Sequence, residues 1–141
     1  MSRGNLTTRF AVPSDIDFVG QGQYLPPEVV RRKVEWREVV VAEFDGSLAG
    51  YLRLEYLWSK VPYVGLIRVS PEHRGRGVGS ALLTFVEEAM RAEGHTALYS
   101  SAQADEAEPQ AWHRHAGFEE CGIIAGINEG GIGEVFFRKG L

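Results

Sequence analysis

The sequence predicts a mixed α/β (α+β) fold, a single mixed and mostly antiparallel sheet flanked by helices, in one domain over residues 1–141. Three observations predict it. Two valine- and leucine-rich runs meet at Asp45-Gly46, a strong two-residue hairpin signal. An apolar run ending at Val69 leads through a glycine-rich stretch into an amphipathic segment, and a short strand candidate follows at Ala97-Leu98-Tyr99-Ser100. That is a strand-helix-strand order in the middle of the chain. Two further strand candidates then meet at the turn Asn128-Glu129-Gly130-Gly131, so hairpins stand at both ends.

Each element has a local reason. Thr8 to Val12 reads as a short strand stopped by Pro13-Ser14-Asp15, with Ser14 or Asp15 placed to cap a brief helix through Val19. Gly20 to Pro27 reads as loop, and Pro27 followed by Glu28 suits the start of a helix to about Trp36. Glu38 to Phe44 and Leu48 to Trp58 are the hairpin strands. In the second, Leu48, Gly50, Leu52, Leu54, Tyr56 and Trp58 share one face, with Arg53 and Glu55 on the other. Ser59-Lys60 turns the chain, Pro62 stands at a strand start, and Tyr63 to Val69 forms the next strand. Val78, Ala81, Leu82, Phe85, Val86, Ala89 and Met90 recur at helical spacing, and Gly94 fits the residue just past a helix end. Acidic residues before Pro109 favour a helix from there to just before Gly117. Phe118 to Ile127 and Glu134 to Phe137 are the closing strands.

Composition bounds the function. A net charge of −4 and a pI near 5.6 argue against a general nucleic-acid surface. The first residues, Met1 to Arg9, contain no apolar core of a secretory signal, and no window has the apolar length of a membrane span. A cytoplasmic protein with no membrane partner is the expectation. Cys121 is the single cysteine, which excludes an internal disulfide. His73, His95, His113 and His115 lack clustered partners at ligand spacing, so no metal is expected.

The informative stretch is Val69-Ser70-Pro71-Glu72-His73-Arg74-Gly75-Arg76-Gly77-Val78-Gly79-Ser80. Glycines at alternate positions let the backbone approach a ligand, and the helix start adds unpaired N–H groups and a positive dipole end. Together these make an anion site suited to phosphate. It is not a Walker loop, since Gly79-Ser80-Ala81 has no lysine. Nor is it the dinucleotide fingerprint, whose sixth place would be Ser80 or Leu82. It matches R/Q-x-x-G-x-G/A, read as Arg74-Gly75-Arg76-Gly77-Val78-Gly79. In this pattern it resembles the acetyl-CoA pyrophosphate loop of the GNAT superfamily of N-acetyltransferases. The order of elements resembles that family too. So does Ala111-Trp112-His113-Arg114-His115-Ala116-Gly117-Phe118-Glu119-Glu120-Cys121-Gly122, which looks like its helix-then-Gly-Phe element.

The resemblance implies acetyl-CoA as co-substrate and transfer of its acetyl group, by direct attack, to a primary amine of a small molecule or peptide. It implies that Arg74, Gly75, Arg76, Gly77, Val78, Gly79 and Ser80 hold the pyrophosphate and that the main chain at Val69 meets the pantetheine arm. GNAT enzymes commonly hold a proton-donating tyrosine four residues before the Gly of Gly-Phe, and here that position is His113. A histidine can donate near neutral pH, while a partly exposed surface residue on a short helix is the plainer reading. Tyr99 is a substitute donor, with packing as its alternative. Some relatives carry a glutamate where this chain has Tyr63; Glu55 and Glu43 lie on neighbouring strands as candidate bases, or as charges on a solvated face. Cys121 reads as a small buried residue rather than a nucleophile. The double departure, His at 113 and Tyr at 63, motivates a rival: a non-catalytic acyl-CoA-binding or regulatory domain. A nucleic-acid module is a third reading, and a homodimer is compatible with all of them.

Overall fold

In the computed structural model, which describes residues 4–22 and 24–141, the order of elements is the expected one. Met1, Ser2, Arg3 and the Gln23 step of the first loop lie outside the described residues. The strands are β1 (Leu6–Phe10), β2 (Val39–Phe44), β3 (Ser47–Leu57), β4 (Val61–Val69), β5 (Ala97–Gln103), β6 (Glu119–Ile124) and β7 (Glu134–Gly140). The helices are α1 (Ile16–Val19), α2 (Pro27–Glu35), α3 (Val78–Ala92) and α4 (Ala107–His115). The strands form a mixed sheet in the order β1-β2-β3-β4-β5-β7-β6. The chain divides into two units, Met1–Leu54 with Leu66–Ala89, and Glu55–Gly65 with Met90–Leu141.

In the first unit β1, β2 and β3 are an antiparallel meander, with Asp45 and Gly46 both at positive φ in the hairpin. β1 starts and ends two residues earlier than its sequence suggests. The reason is Asp15. Its buried carboxylate accepts the Val12 N–H at 2.8 Å and the Arg9 guanidinium at 2.7 Å, so Val12 is turned out of the strand. The same carboxylate makes no capping bond to α1, contrary to its expected role. Arg9 also donates to Glu43 at 2.8 Å, and its paired guanidinium holds the Asp15 carboxyl below the usual range.

The core of this unit joins Val19, Val30 and Val34 to Val39, Val41 and Tyr51. Burial of Tyr51 shows why strict alternation fails in β3. Ala49 to Leu52 are all buried because both faces of the strand are covered. α2 ends in a Schellman motif, Glu38 N–H to Lys33 C=O at 2.9 Å and Arg37 N–H to Val34 C=O at 3.2 Å. Arg37 takes the left-handed position with φ 57°, and its guanidinium lies over Phe10.

In the second unit β5 pairs antiparallel with β7, and β7 with β6, while β4 meets β5 in parallel at Tyr63 and Tyr99. Ser101 stands opposite Phe136 and Gln103 opposite Glu134, which puts these four and Tyr99 on one face. Leu98, Ser100, Val135 and Phe137 point to the other. Trp58, read from the sequence as continuing the strand face of Leu52 and Leu54, is 83% exposed, because β3 ends at Leu57 and Trp58 and Ser59 turn with left-handed φ. β6 is exposed throughout and bulged between Glu120 and Gly122. Cys121 is therefore exposed, not the buried small residue of the sequence reading. Among the described residues no helix is long and apolar enough to cross a membrane.

Candidate functional site

The glycine stretch lies in the first unit. β4 ends at Val69, and Ser70 N–H donates to Ala49 C=O at 2.8 Å, pinning the exit to β3. Pro71–His73 make one 3-10 turn, Arg74 is extended, and Gly75 and Gly77 follow with φ 75° and 82°. A Cβ at either glycine would meet nothing within 4 Å, so conformation and not space requires glycine there. Ala81 N–H donates to Gly77 C=O at 3.0 Å, which makes Gly77 the residue that opens α3. The N–H groups of Val78, Gly79 and Ser80 then have no acceptor within the helix and stand at its positive end.

Sequence reasoning missed what positions this loop. Gly50 reads as one residue of an alternating strand. A Cβ there would stand 2.7 Å from the Arg68 carbonyl oxygen and 3.0 Å from Val78 Cγ1. Its absence lets β3 pass closely beneath both the end of β4 and the first residue of α3. An isolated glycine inside a strand pattern is the signal that marks such an approach.

The side chains are divided. Arg74 lines a cavity of about 460 Å3 with Ile67, Arg68, Val69 and Pro71. Arg76 instead lies over the Phe44 ring, 5.3 Å from its centroid. Arg68, unremarked in the sequence, also borders a smaller cavity with Phe18, Gln21 and Tyr51. The Tyr51 hydroxyl donates to the Gln21 carbonyl and anchors the loop after α1.

His113, Tyr99 and Glu55 belong to the second unit. His113 is buried, not exposed. Its Nδ1 lies 2.6 Å from the Pro109 carbonyl, which only accepts, so Nδ1 carries the proton. Nε2 lies 2.7 Å from Ser100 Oγ and accepts from that hydroxyl. The ring stacks on Phe137 at 4.8 Å, and burial pushes its pKa below the ordinary histidine value. The side chain is thus a neutral imidazole with both nitrogens engaged.

The spacing of the second signature has a structural origin. Phe118 N–H donates to His113 C=O at 2.9 Å and Gly117 N–H to Arg114 C=O at 3.1 Å, while Gly117 takes φ 97°. This is a Schellman stop, and the His113–Phe118 ring contact at 5.4 Å is its apolar clasp. Tyr99 is half-buried and borders a cavity of about 240 Å3 with Lys60, Pro62, His95 and Arg138. Glu55 is half-buried on β3. The Cys121 thiol is raised by desolvation, which opposes a nucleophilic role.

The family model described as the acetyltransferase (GNAT) family matches residues 14–118, which takes in the glycine loop and the Gly117-Phe118 stop. The chain belongs to the GNAT family. Its fold agrees. A ribosomal-protein-alanine N-acetyltransferase from Brucella melitensis superposes with a TM-score of 0.78 at 25% identity, over 96% of this chain and 99% of that one. A putative streptothricin acetyltransferase from Bacillus anthracis, solved in complex with acetyl coenzyme A, superposes with a TM-score of 0.67 at 16% identity, over 73% of this chain and 61% of that one. In sequence, this GNAT chain is 36% identical over 67 residues to an S-alkylcysteine N-acetyltransferase of Bacillus subtilis, covering 43% of this chain and 38% of the relative. Matches to curated relatives take in 35% to 52% of those proteins' lengths.

Proposed function

We propose that this GNAT protein transfers an acetyl group from acetyl-CoA to a primary amine of a small molecule or peptide, by direct attack and without an acyl-enzyme. The observation that carries the reading is the backbone of residues 74–80. Two positive-φ glycines lead into a helix start whose first N–H groups have no internal acceptor. Such a cradle matches a pyrophosphate in charge and in hydrogen-bonding sense. Arg74 beside the cavity adds a positive charge, whereas Arg76 is engaged with Phe44. Acetyl-CoA supplies the activated thioester; the chain holds its anionic part and manages protons.

Direct transfer requires a neutral amine and a proton for the leaving thiolate. Three side chains carry over from the sequence as proposals for these tasks: His113 and Tyr99 for the thiolate, and Glu55 for the amine. The bonds around His113 favour it least as the acid, because Nε2 holds no proton in the tautomer that Pro109 selects. His113→Phe, Tyr99→Phe and Glu55→Gln are each to be assayed for thiol release across pH. A variant that keeps the wild-type turnover and profile leaves the mechanism.

The test of the reading is calorimetry with acetyl-CoA, followed by thiol release over a panel of amines. Saturable binding and amine-dependent release support it. No heat and no thermal shift at millimolar ligand removes the co-substrate. Binding without turnover on any amine selects the non-catalytic acyl-CoA-binding alternative, which the engaged, neutral His113 favours.

A further inference from the structure

A chain of hydrogen bonds crosses the open face of the second unit and ends on a carboxylate. Ser101 Oγ donates to Glu134 Oε2 at 2.5 Å. A serine hydroxyl has one proton, and a carboxylate only accepts, so Ser101 has none left for its other neighbour. The Tyr63 hydroxyl, hydrogen-bonded to that same Oγ, is therefore the donor in their bond. The sense of the chain is fixed: Tyr63 to Ser101 to Glu134. The second carboxylate oxygen is held by Asn128 Nδ2 at 2.8 Å, which also sets the loop before β7. Tyr63 is steadied by stacking on Phe136, with centroids 5.8 Å apart.

The chain runs toward the carboxylate, and both of its end groups, Tyr63 and Glu134, are only half-buried. We propose that Glu134, acting through Ser101 and Tyr63, is the proton sink that deprotonates the attacking amine. The inference rests on the N-acetyltransferase reading above. The substrate ammonium passes a proton to Tyr63 Oη as the Tyr63 proton moves to Ser101 Oγ and the Ser101 proton to Glu134. This leaves a neutral amine and a protonated Glu134. The amine then attacks the thioester carbonyl and the C–S bond breaks. The second nitrogen proton goes to the thiolate, and Glu134 returns its proton to water. Tyr63 is the catalytic residue in this account; Ser101 and Glu134 are positioning and relay residues behind it.

The titratable groups around Glu134 are Tyr63 from β4, Tyr99 from β5, Arg138 from β7 on the same face, and His113 from α4. β6 places the uncharged Ile124 opposite it. His113 is held neutral by its two hydrogen bonds and adds no charge beside Glu134.

The experiment is steady-state thiol release with one active amine across pH, on wild type, Glu134→Gln, Ser101→Ala, Ser101→Thr and Glu55→Gln, with acetyl-CoA affinity measured on each. A relay predicts that kcat for Glu134→Gln and Ser101→Ala falls about 100-fold near neutral pH, the size of a general-base contribution. The defect narrows as pH approaches the amine's own pKa, about 10 for a primary amine, because the substrate is then already neutral. Ser101→Thr keeps the hydroxyl and restores the wild-type profile, and acetyl-CoA affinity is unchanged throughout. Equal loss at every pH, with a lower Tm, overturns the relay in favour of a structural tie. Loss of the low-pH limb in Glu55→Gln but not in Glu134→Gln assigns the base to Glu55 and also overturns it. In both cases the N-acetyltransferase reading stands; wild type inactive on every amine overturns both.

Discussion

Replacing Gly77 with alanine tests the proposed part of the backbone in holding acetyl-CoA. Gly77 has φ 82° and open space around its missing Cβ, so the substitution adds no clash. What it adds is the cost of a left-handed conformation for an L-residue, about 1–2 kcal/mol. The unliganded loop is exposed and can relax to avoid that cost, so Tm is expected to fall by less than about 3 °C, given 2–8 °C per kcal/mol for domains near this size. In the proposed complex binding restores the requirement, because the backbone at Gly77 sets the direction of the N–H groups that follow it. The cost then appears in affinity as a loss of about 5- to 30-fold, since 1.4 kcal/mol is tenfold. Calorimetry with acetyl-CoA reads it directly. An affinity within twofold of wild type, with the fold intact, would refute the claim that positive φ at 77 matters for the ligand.

Other expectations follow from packing and titration. Gly50→Ala is the opposite case. Its Cβ meets backbone at 2.7 Å, so stability falls by about 1–3 kcal/mol, read by thermal or denaturant unfolding, and affinity falls with it. Asp15→Asn loses a lowered-pKa carboxylate. The wild-type contribution is present above the unfolded pKa of about 3.9 and lost as pH falls through the lower folded value. The variant should therefore be less stable near neutral pH by about 1–2 kcal/mol, discounted for the partly exposed Arg9, and the gap should begin to close only below about pH 4 in urea titrations. His113 also has a lowered pKa, so the unfolded chain binds its proton first on acidification. Stability from this source is complete above about pH 6.5 and declines below it. His113→Phe should flatten that part of the Tm–pH curve, and an unchanged slope would contradict a buried neutral ring.

Much of the fold was legible because local chemistry and tertiary structure agree. Asp45-Gly46, the periodic face of α3 and the Gly94 stop each demand one conformation, and each is found in it. Disagreements arise where a side chain made a distant bond. Asp15 reads as a cap by its place in sequence, yet Arg9 and Val12 take its carboxylate and shorten β1. β3 reads as half-exposed by its alternation, but cover on both faces cannot be seen from one strand's own pattern. In the candidate site the glycine loop was legible, since its proposed function lies in the backbone and glycine spacing encodes backbone. The groups on the second unit were not. Ser101, Asn128 and Glu134 are scattered along the chain and become neighbours only through the pairing of β5 with β7 and the turn before it. His113 carried a readable spacing to Gly117-Phe118, although what that spacing encodes here is a helix stop.

The central claim is that the backbone of residues 74–80 holds the pyrophosphate of acetyl-CoA. Amide resonances followed through a CoA titration test it most directly. The account predicts saturable shifts at Gly75, Gly77, Val78, Gly79 and Ser80, as their N–H groups gain an anionic acceptor. Saturable binding that leaves these five amides unmoved would contradict it.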